Sequence, residues 1–387
     1  MIPPDCIPID GLVRVWAGDL LIAETRGAAV TALPEANAEI LLPEGDMLAC
    51  FSLASLAVRG ETVARRHAPG LLALDPARLL IKVDDRWPGR GDDAGTVNLF
   101  PRWGDLADLV RLMDVQPEGP GLYVAPIYED RRRNVVEGSQ LLGQAIVAAS
   151  KAVEGQHAVS AHMIFSRPAR FDLPLFFKVA VLRRGRSFST VSVEAAQEGK
   201  PVASALVLMD IGASDKIRGQ VAMPEVAGPA TSAFHDYGMT GRDVRFVDGH
   251  YGRPPDYIGP PEIYGWVRHR EVPAEAYLRQ ALLAQFTGHM TIAAALLPHP
   301  GLGEAQAHVT LSTGVLAITV ALHDDANLAD WLLYANPAIY AGRGLAQGEG
   351  RVFGEDGRLV ASYNVQAMIR DFVEPPDRIG LDSSRLM

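Results

Sequence analysis

Across residues 137–150 (EGSQLLGQAIVAAS) the apolar side chains Leu141, Leu142, Ala145, Ile146 and Ala149 recur at i, i+1, i+4, i+5 and i+8, which predicts a helix with one wide apolar stripe. Gly138, Gly143 and the alanines keep that helix narrow, so a second backbone can pass close to it. Beyond residue 157 the period shortens. Residues 158–165, 174–182, 188–195 and 201–209 read as successive strands, with turns expected at Arg184-Gly185 and Glu198-Gly199. A helix followed by an antiparallel meander can bury its stripe against one concave sheet face.

The same order returns later. Residues 273–297 read as a helix, followed by strands over 307–322, 331–336, 343–353 and 358–370. Gly199-Lys200-Pro201-Val202-Ala203-Ser204 recurs as Gly357-Arg358-Leu359-Val360-Ala361-Ser362, each opening a strand after an acidic turn. A match at the same place in two helix-then-meander units reads as a duplicated fold. The predicted architecture places central helices at about 137–152 and 274–297 in one continuous curled sheet or two adjoining ones.

The remaining segments divide the chain further. Residues 1–83 read as a small, mainly β accessory domain, with hairpins expected from 12–17 with 20–24 and from 71–74 with 79–83. The segments VRVWAGDLLIAET (13–25) and APGLLALDPARLLIKVDD (68–85) resemble a small uncharacterised bacterial β domain, and no catalytic motif is visible in residues 1–83. Residues 84–100 begin with the Pro/Gly-rich run DDRWPGRGDDAG and read as a linker. The glycines Gly89, Gly91 and Gly95 there lack the flanking strand and helix of a phosphate-binding loop. A short amphipathic helix over 104–113 opens the first unit (101–210). A second linker (211–261), long, rich in Gly, Pro and Asp and expected to pack along the surface, leads to the second unit (262–372) and a tail (373–387).

Composition narrows the function classes. The 387 residues are 48% hydrophobic and 21% charged, ordinary for a soluble globular chain. A net charge of −10 argues against a broad nucleic-acid surface. Cys6 and Cys50 are the only cysteines, which excludes a disulfide framework and a Cys-rich zinc site. The opening MIPPDCIPID lacks the basic and apolar regions of a signal peptide, and the apolar stretch 281–298 is broken by Gln285, Thr287, Gly288 and His289. These features are those expected of a cytoplasmic protein with no membrane span, no metal and no cofactor; a homo-oligomer is left open. Neither a G-x-S-x-G elbow nor an H-E-x-x-H pair is present, so serine-hydrolase and zinc-hydrolase readings drop out.

Three stretches carry a family resemblance: 137–150, LRRGRSFSTVSVEAAQEGKPVAS (182–204) and WLLYANPAIYAGRGLAQGEGRVFGEDGRLVAS (331–362), joined by Ser166-Arg167-Pro168 after the first long strand. Over about residues 100–372 the chain resembles the type II acyl-CoA thioesterases. That resemblance implies an α+β double hotdog fold, an acyl-CoA or other acyl-thioester ligand, and water as the attacking nucleophile. It also implies an Asp on the second helix, a Thr or Ser on the next strand and a Gln on the last strand. Carried over position by position, these fall on Gly288, Val315 and Val365, none of which can bind or activate water. The Arg-Pro expected after the second long strand is likewise Asp324-Asp325.

Polar neighbours offer a rearranged site. His289 adjoins Gly288, Thr313 and Thr319 share a face with Val315 if the strand is regular, and Gln366 follows Val365. Each also reads as ordinary: a helix histidine, strand-forming threonines, and a glutamine that a one-residue shift turns to the opposite face. Glu137 reads as an acid favoured by the dipole of the helix it opens, with a cavity-facing carboxylate as the alternative. Arg183, Arg184 and Arg186 read either as partners for CoA phosphates or as a solvated hairpin tip. The two functional expectations are thus a thioesterase that is weak or rearranged, and a non-catalytic binder or scaffold. A hydratase would need a His/Asp pair that the sequence does not place.

Overall fold

In a computed structural model of the chain, the described residues are short segments between 6 and 83, then 106–125, 135–170, 173–235, 242–249, 257–269, 272–303, 306–307 and 310–372. They fall into two compact units, Met1–Asp108 with His235–Arg242, and Leu109–Phe234 with Asp243–Met387. The expected linker 84–100 and tail 373–387 lie outside the described residues.

The smaller unit is built from short strands. One sheet orders Cys6–Pro8, Ala29–Thr31, Ile40–Pro43, Leu71–Leu74 and Ala64–Ala68, and another orders Leu80–Val83, Val13–Ala17 and Leu20–Thr25. Val13, Val15, Leu41, Leu42 and Leu72 are fully buried. The first expected hairpin forms, with Val15 opposite Ala23. The second does not. Leu71–Leu74 is paired on both edges, by Ile40–Pro43 and Ala64–Ala68, so Leu80–Val83 pairs with Val13–Ala17 instead.

The larger unit carries one long sheet. After α1 (Leu106–Met113) come β1 (Gln116–Gly119), β2 (Leu122–Ala125), α2 (Gly138–Ala152), β3 (His157–Phe165), β4 (Leu175–Arg184), β5 (Phe188–Gln197) and β6 (Lys200–Asp210). The short β7 (Ala233–His235) and β8 (Arg242–Phe246) lead to β9 (Glu262–His269), α3 (Ala276–Gln285) and α4 (Thr291–Leu296). The last strands are β10 (Leu311–Leu322), β11 (Leu332–Gly342), β12 (Leu345–Gly354) and β13 (Leu359–Asp371). The thirteen strands lie in the order β1-β2-β4-β5-β6-β3-β10-β13-β12-β11-β9-β8-β7.

That order is a duplication. In the first half β2-β4-β5-β6-β3 run in the same sequence as β9-β11-β12-β13-β10 in the second, and the halves join through the equivalent strands β3 and β10, Ser160 opposite Ala321 and Ile164 opposite Ala317. The repeated hexapeptide occupies the same joint in both. Gly199 and Gly357 hold positive φ angles of 73° and 81°, a conformation that costs glycine little. The Val202 carbonyl accepts from the amides of Ser166 and Arg167, as the Val360 carbonyl does from His323 and Asp324. The fold is a double hotdog preceded by a mainly β region, one continuous sheet curled about central helices.

Two helix expectations need correcting. The apolar stripe of α2 is in fact a helix buried nearly all round, from Ser139 to Ser150, because the sheet wraps one side and α3 covers the other. Within it the Gln144 side-chain amide donates to the Leu112 carbonyl at 2.7 Å. The second central helix is not continuous over 274–297. It breaks into α3, a 3-10 turn at Phe286–Gly288, and α4. Thr287 Oγ1 takes the Ala284 carbonyl at 2.7 Å, and Gly288 lies against Ser139, so the chain bends around the start of α2.

Helices α2 and α3 cross at Gly143. A Cβ there would sit 2.9 Å from the Ala281 carbonyl oxygen and 2.9 Å from Met113 Sδ. Gly143 and Ala281 each lie six residues past the residue that caps their helix, Glu137 and Glu275, so the halves are related by a near two-fold passing through this contact. Near the C-terminal end of α2, Lys151 Nζ pairs with Asp114 at 2.7 Å and donates to the Val115 carbonyl at 2.8 Å, lying 5.9 Å from the Tyr277 ring centre.

The expected linker 211–261 is partly structured, and residues 236–241 and 250–256 lie outside the described residues. Its first part straps the outer face of the second half. Met223 and Val226 pack on the cluster Val247, Trp266, Leu333, Ala335 and Phe353. Trp266 Nε1 donates to the Ala227 carbonyl at 2.8 Å, and the Gln220 side chain bridges the Gly357 carbonyl and the Leu359 amide.

The helix crossing yields a measurable expectation. Gly143→Ala must displace the Ala281 backbone or Met113, and overpacking of this kind costs about 1–3 kcal/mol. Urea unfolding should report a loss in that range, whereas unchanged stability would mean that the crossing is looser than described.

Candidate active site

The first half supplies one carboxylate. Glu137 caps α2 in extended conformation (φ −62°, ψ 139°), held in place where the Val136 amide donates to the Ala169 carbonyl at 2.8 Å. An N-cap acid usually turns back onto its own helix. Glu137 makes no such side-chain bond. Its Oε2 instead accepts from Gln285 Nε2 at 2.9 Å and stands 3.4 Å from His289 Nε2. The Glu137 side chain thus reaches across to α3 and His289, while its place at the helix start still suits the dipole.

The second half supplies the rest. Gln285 ends α3 and is buried, and His289 follows the 3-10 turn with its ring stacked on Phe286, 4.7 Å between centres and 17° between planes. Phe286 in turn meets Tyr334 edge-on at 5.0 Å, and the Tyr334 hydroxyl donates to the Leu283 carbonyl at 3.0 Å. This aromatic stack fixes the imidazole. The His289 side chain is 8% exposed and that of Glu137 24%, so the carboxylate is the member that meets solvent. Ile318, near Gly288, its ladder partner Val365, and Tyr363 on the same strand as Val365 are all buried. Burial, with the neighbouring Tyr334 second, pushes the Tyr363 hydroxyl well above its usual pKa, so it stays neutral.

The other sequence candidates separate. A Cβ on Gly288 would lie 2.9 Å from Ser139 Oγ and 3.4 Å from Ile318 Cδ1. Ile318 is thus the strand residue standing against Gly288, with Val365 its partner across the ladder; Val315 pairs with Ala367, before a bulge between Val315 and Ala317. That bulge resets the alternation of β10. Thr319 consequently leaves the face expected for it, and its hydroxyl lies 2.7 Å from His162 Nδ1 on β3. Thr313 is buried opposite Ile369. Gln366 is exposed beside Ala317 and Gln347, on the face opposite Val365. Of the four proposed catalytic residues, only His289 stands beside Gly288 and Glu137.

Arg183, Arg184 and Arg186 are exposed at the β4–β5 hairpin. The Gly185 carbonyl there accepts from Gln156, four residues past the end of α2. The arginines thus lie beyond the C-terminal end of α2 and Glu137 at its N-terminal end, and a 15-residue helix is about 22 Å long at 1.5 Å per residue. No cluster of three or more metal-ligating side chains occurs among the described residues, and no described helix is long and apolar enough to cross a membrane.

Sequence reasoning missed the pairing of Glu137 with Gln285. The usable signal was Gln285 itself, a polar residue inside the apolar run Ala281–Phe286, together with an acid at a helix start that needed a partner.

Comparison with known proteins adds a second line. Residues 130–209 match the family model described as the acyl-CoA thioesterase N-terminal domain, and residues 220–369 match its C-terminal domain. The chain is 27% identical over 255 residues to acyl-CoA thioesterase 2 of Haemophilus influenzae, covering 61% of this chain and 87% of that protein. It is 24% identical over 312 residues to mouse acyl-coenzyme A thioesterase 8, covering 73% and 95%. Among solved structures, an acyl-CoA thioesterase II from Mycobacterium marinum superposes with a TM-score of 0.58 at 25% identity, over 68% of this chain and 98% of that one.

The contact at Gly288 makes a testable statement about this geometry. Gly288→Asp should destabilise the protein, because the new Cβ meets Ser139 Oγ at 2.9 Å and Ser139 Cβ at 3.0 Å. Ser139→Gly in the same chain should recover most of the loss, giving a coupling of about 0.5–3 kcal/mol in a double-mutant cycle. Additive effects would place the two residues out of contact.

Proposed function

Because the chain belongs to the acyl-CoA thioesterase family, we propose that it binds acyl-CoA and hydrolyses the thioester through a rearranged site. The observation that supports this is the polar group at the start of α2. Glu137, Gln285 and His289 converge beside Gly288, the position at which the family resemblance expects a carboxylate. Thioester hydrolysis needs a proton acceptor for the attacking water and donors for the developing oxyanion. A carboxylate, an amide and an imidazole belong to those classes. The first-turn amides of α2 add donors, since a helix start leaves its first N–H groups without intrahelical acceptors.

Gly288, Val315 and Val365 favour the second reading, a protein that binds acyl thioesters without turning them over. An oxyanion donor is worth about 10²–10³ in rate. Turnover below that of relatives with the Asp, Thr and Gln is therefore part of the hydrolase reading. The setting this reading implies is fatty acyl-CoA metabolism in the cytoplasm.

The test is release of CoA thiol from short, medium and long acyl-CoAs, run beside thermal-shift measurements with each acyl-CoA and with the matching fatty acid. The expected result is thiol release for at least one chain length, and stabilisation by acyl-CoA that the fatty acid does not reproduce. Stabilisation without release at any length would leave a binder. Neither effect would remove the acyl-CoA reading altogether.

A further inference from the structure

We propose that Glu137 is the base of this site, a carboxylate that the first half of the chain lends to chemistry whose other walls come from the second half. The assignment rests on the hydrolase reading above and adds to it a residue, a proton path and a reason for the glycine at 288.

Four observations converge on Glu137. Its side chain is withheld from its own helix, although it holds the capping position. Its Oε2 accepts from Gln285 Nε2 at 2.9 Å and faces His289 Nε2 at 3.4 Å, so that oxygen is held from across the helix pair. Glu137 is also the most open member of the group, 24% exposed against 8% for the imidazole behind it. Finally, Ser139 occupies the space into which any side chain at 288 would grow. A carboxylate at 288 would have to displace Ser139, and here the carboxylate stands two residues before the serine instead.

The chemistry balances with these groups alone. Water attacks the thioester carbonyl carbon, its oxygen forming the new C–O bond while its proton passes to the Glu137 carboxylate. The oxyanion that develops is met by N–H donors at the start of α2. Collapse of the tetrahedral species breaks the C–S bond and expels the thiolate, which takes the proton back from Glu137. The products are a carboxylic acid and CoA thiol, and Glu137 returns to its starting state. Gln285 and His289 are positioning residues, since they act on the substrate through Glu137. His289 is held in turn by its stack on Phe286.

The experiment measures kcat and KM for thiol release from the best acyl-CoA substrate, with melting temperature as the check on folding. Glu137→Gln keeps the size of the side chain but removes the proton acceptor. It should lower kcat by about 10²–10⁴ with KM and acyl-CoA stabilisation nearly unchanged. Glu137→Asp, which keeps the acid with a shorter reach, should recover part of that loss, and it also serves if Glu137→Gln lowers the melting temperature. Gln285→Leu and His289→Leu should each lower kcat more than they raise KM, and His289→Gln, which keeps a polar side chain facing the carboxylate, should restore most of the rate. Full activity in Glu137→Gln would overturn the assignment while leaving the hydrolase reading intact. A parallel fall in binding and turnover, unrelieved by Glu137→Asp, would make Glu137 structural and also overturn it. A wild-type chain that releases no thiol would overturn both.

Discussion

The larger unit depends on how closely α2 and α3 cross. Two helices enclosed by one curled sheet can share its interior only if one backbone lies almost on the other. Gly143 makes this happen by presenting no Cβ to the Ala281 carbonyl. With the gap closed, α2 is buried from Ser139 to Ser150, where leaving a polar side chain without a partner is costly. The same closeness brings the start of α2 against the turn that ends α3. That is why a glutamate from one half can reach a glutamine and a histidine of the other.

What the sequence disclosed follows from where physical signals are local. The helix at 138, the meanders and the repeated turn glycines were legible, because period and turn chemistry act over a few residues. The repeat was legible because both copies need a positive φ before the same buried Val-Ala pair, Val202-Ala203 and Val360-Ala361. Three features were not legible. The break in the second helix falls where Gly288 meets Ser139, which lies far away in sequence. The face of Thr319 depends on a bulge that nothing in the run Leu311–Leu322 announces. The Glu137–Gln285 bond spans 148 residues, and only the helix crossing makes it short.

Duplication has left the two halves alike in backbone and unlike in dress. Part of the outer face of the second half is covered by the chain's own connection, with Leu333 and Phe353 fully buried beneath Met223 and Val226. On the outer face of the first half Ile164 and Leu206 remain 53% exposed. The bulge in β10 is of the same kind, a local change that re-aims side chains while the strand order stays intact.

The near two-fold through Gly143 and Ala281 also bears on stoichiometry. An exact dimer of such halves would own two mouths, one at the start of each central helix. Here the counterpart of Glu137 is Glu275, an exposed residue, and by count along the helices the position matching His289 is Lys151, whose ammonium is held by Asp114 and the Val115 carbonyl beside Tyr277. Fusing the halves let each drift without its twin, so one opening could close on an internal ion pair while the other kept its groups. A polypeptide with the outline of a symmetric pair would then count, in any titration of its working groups, as one.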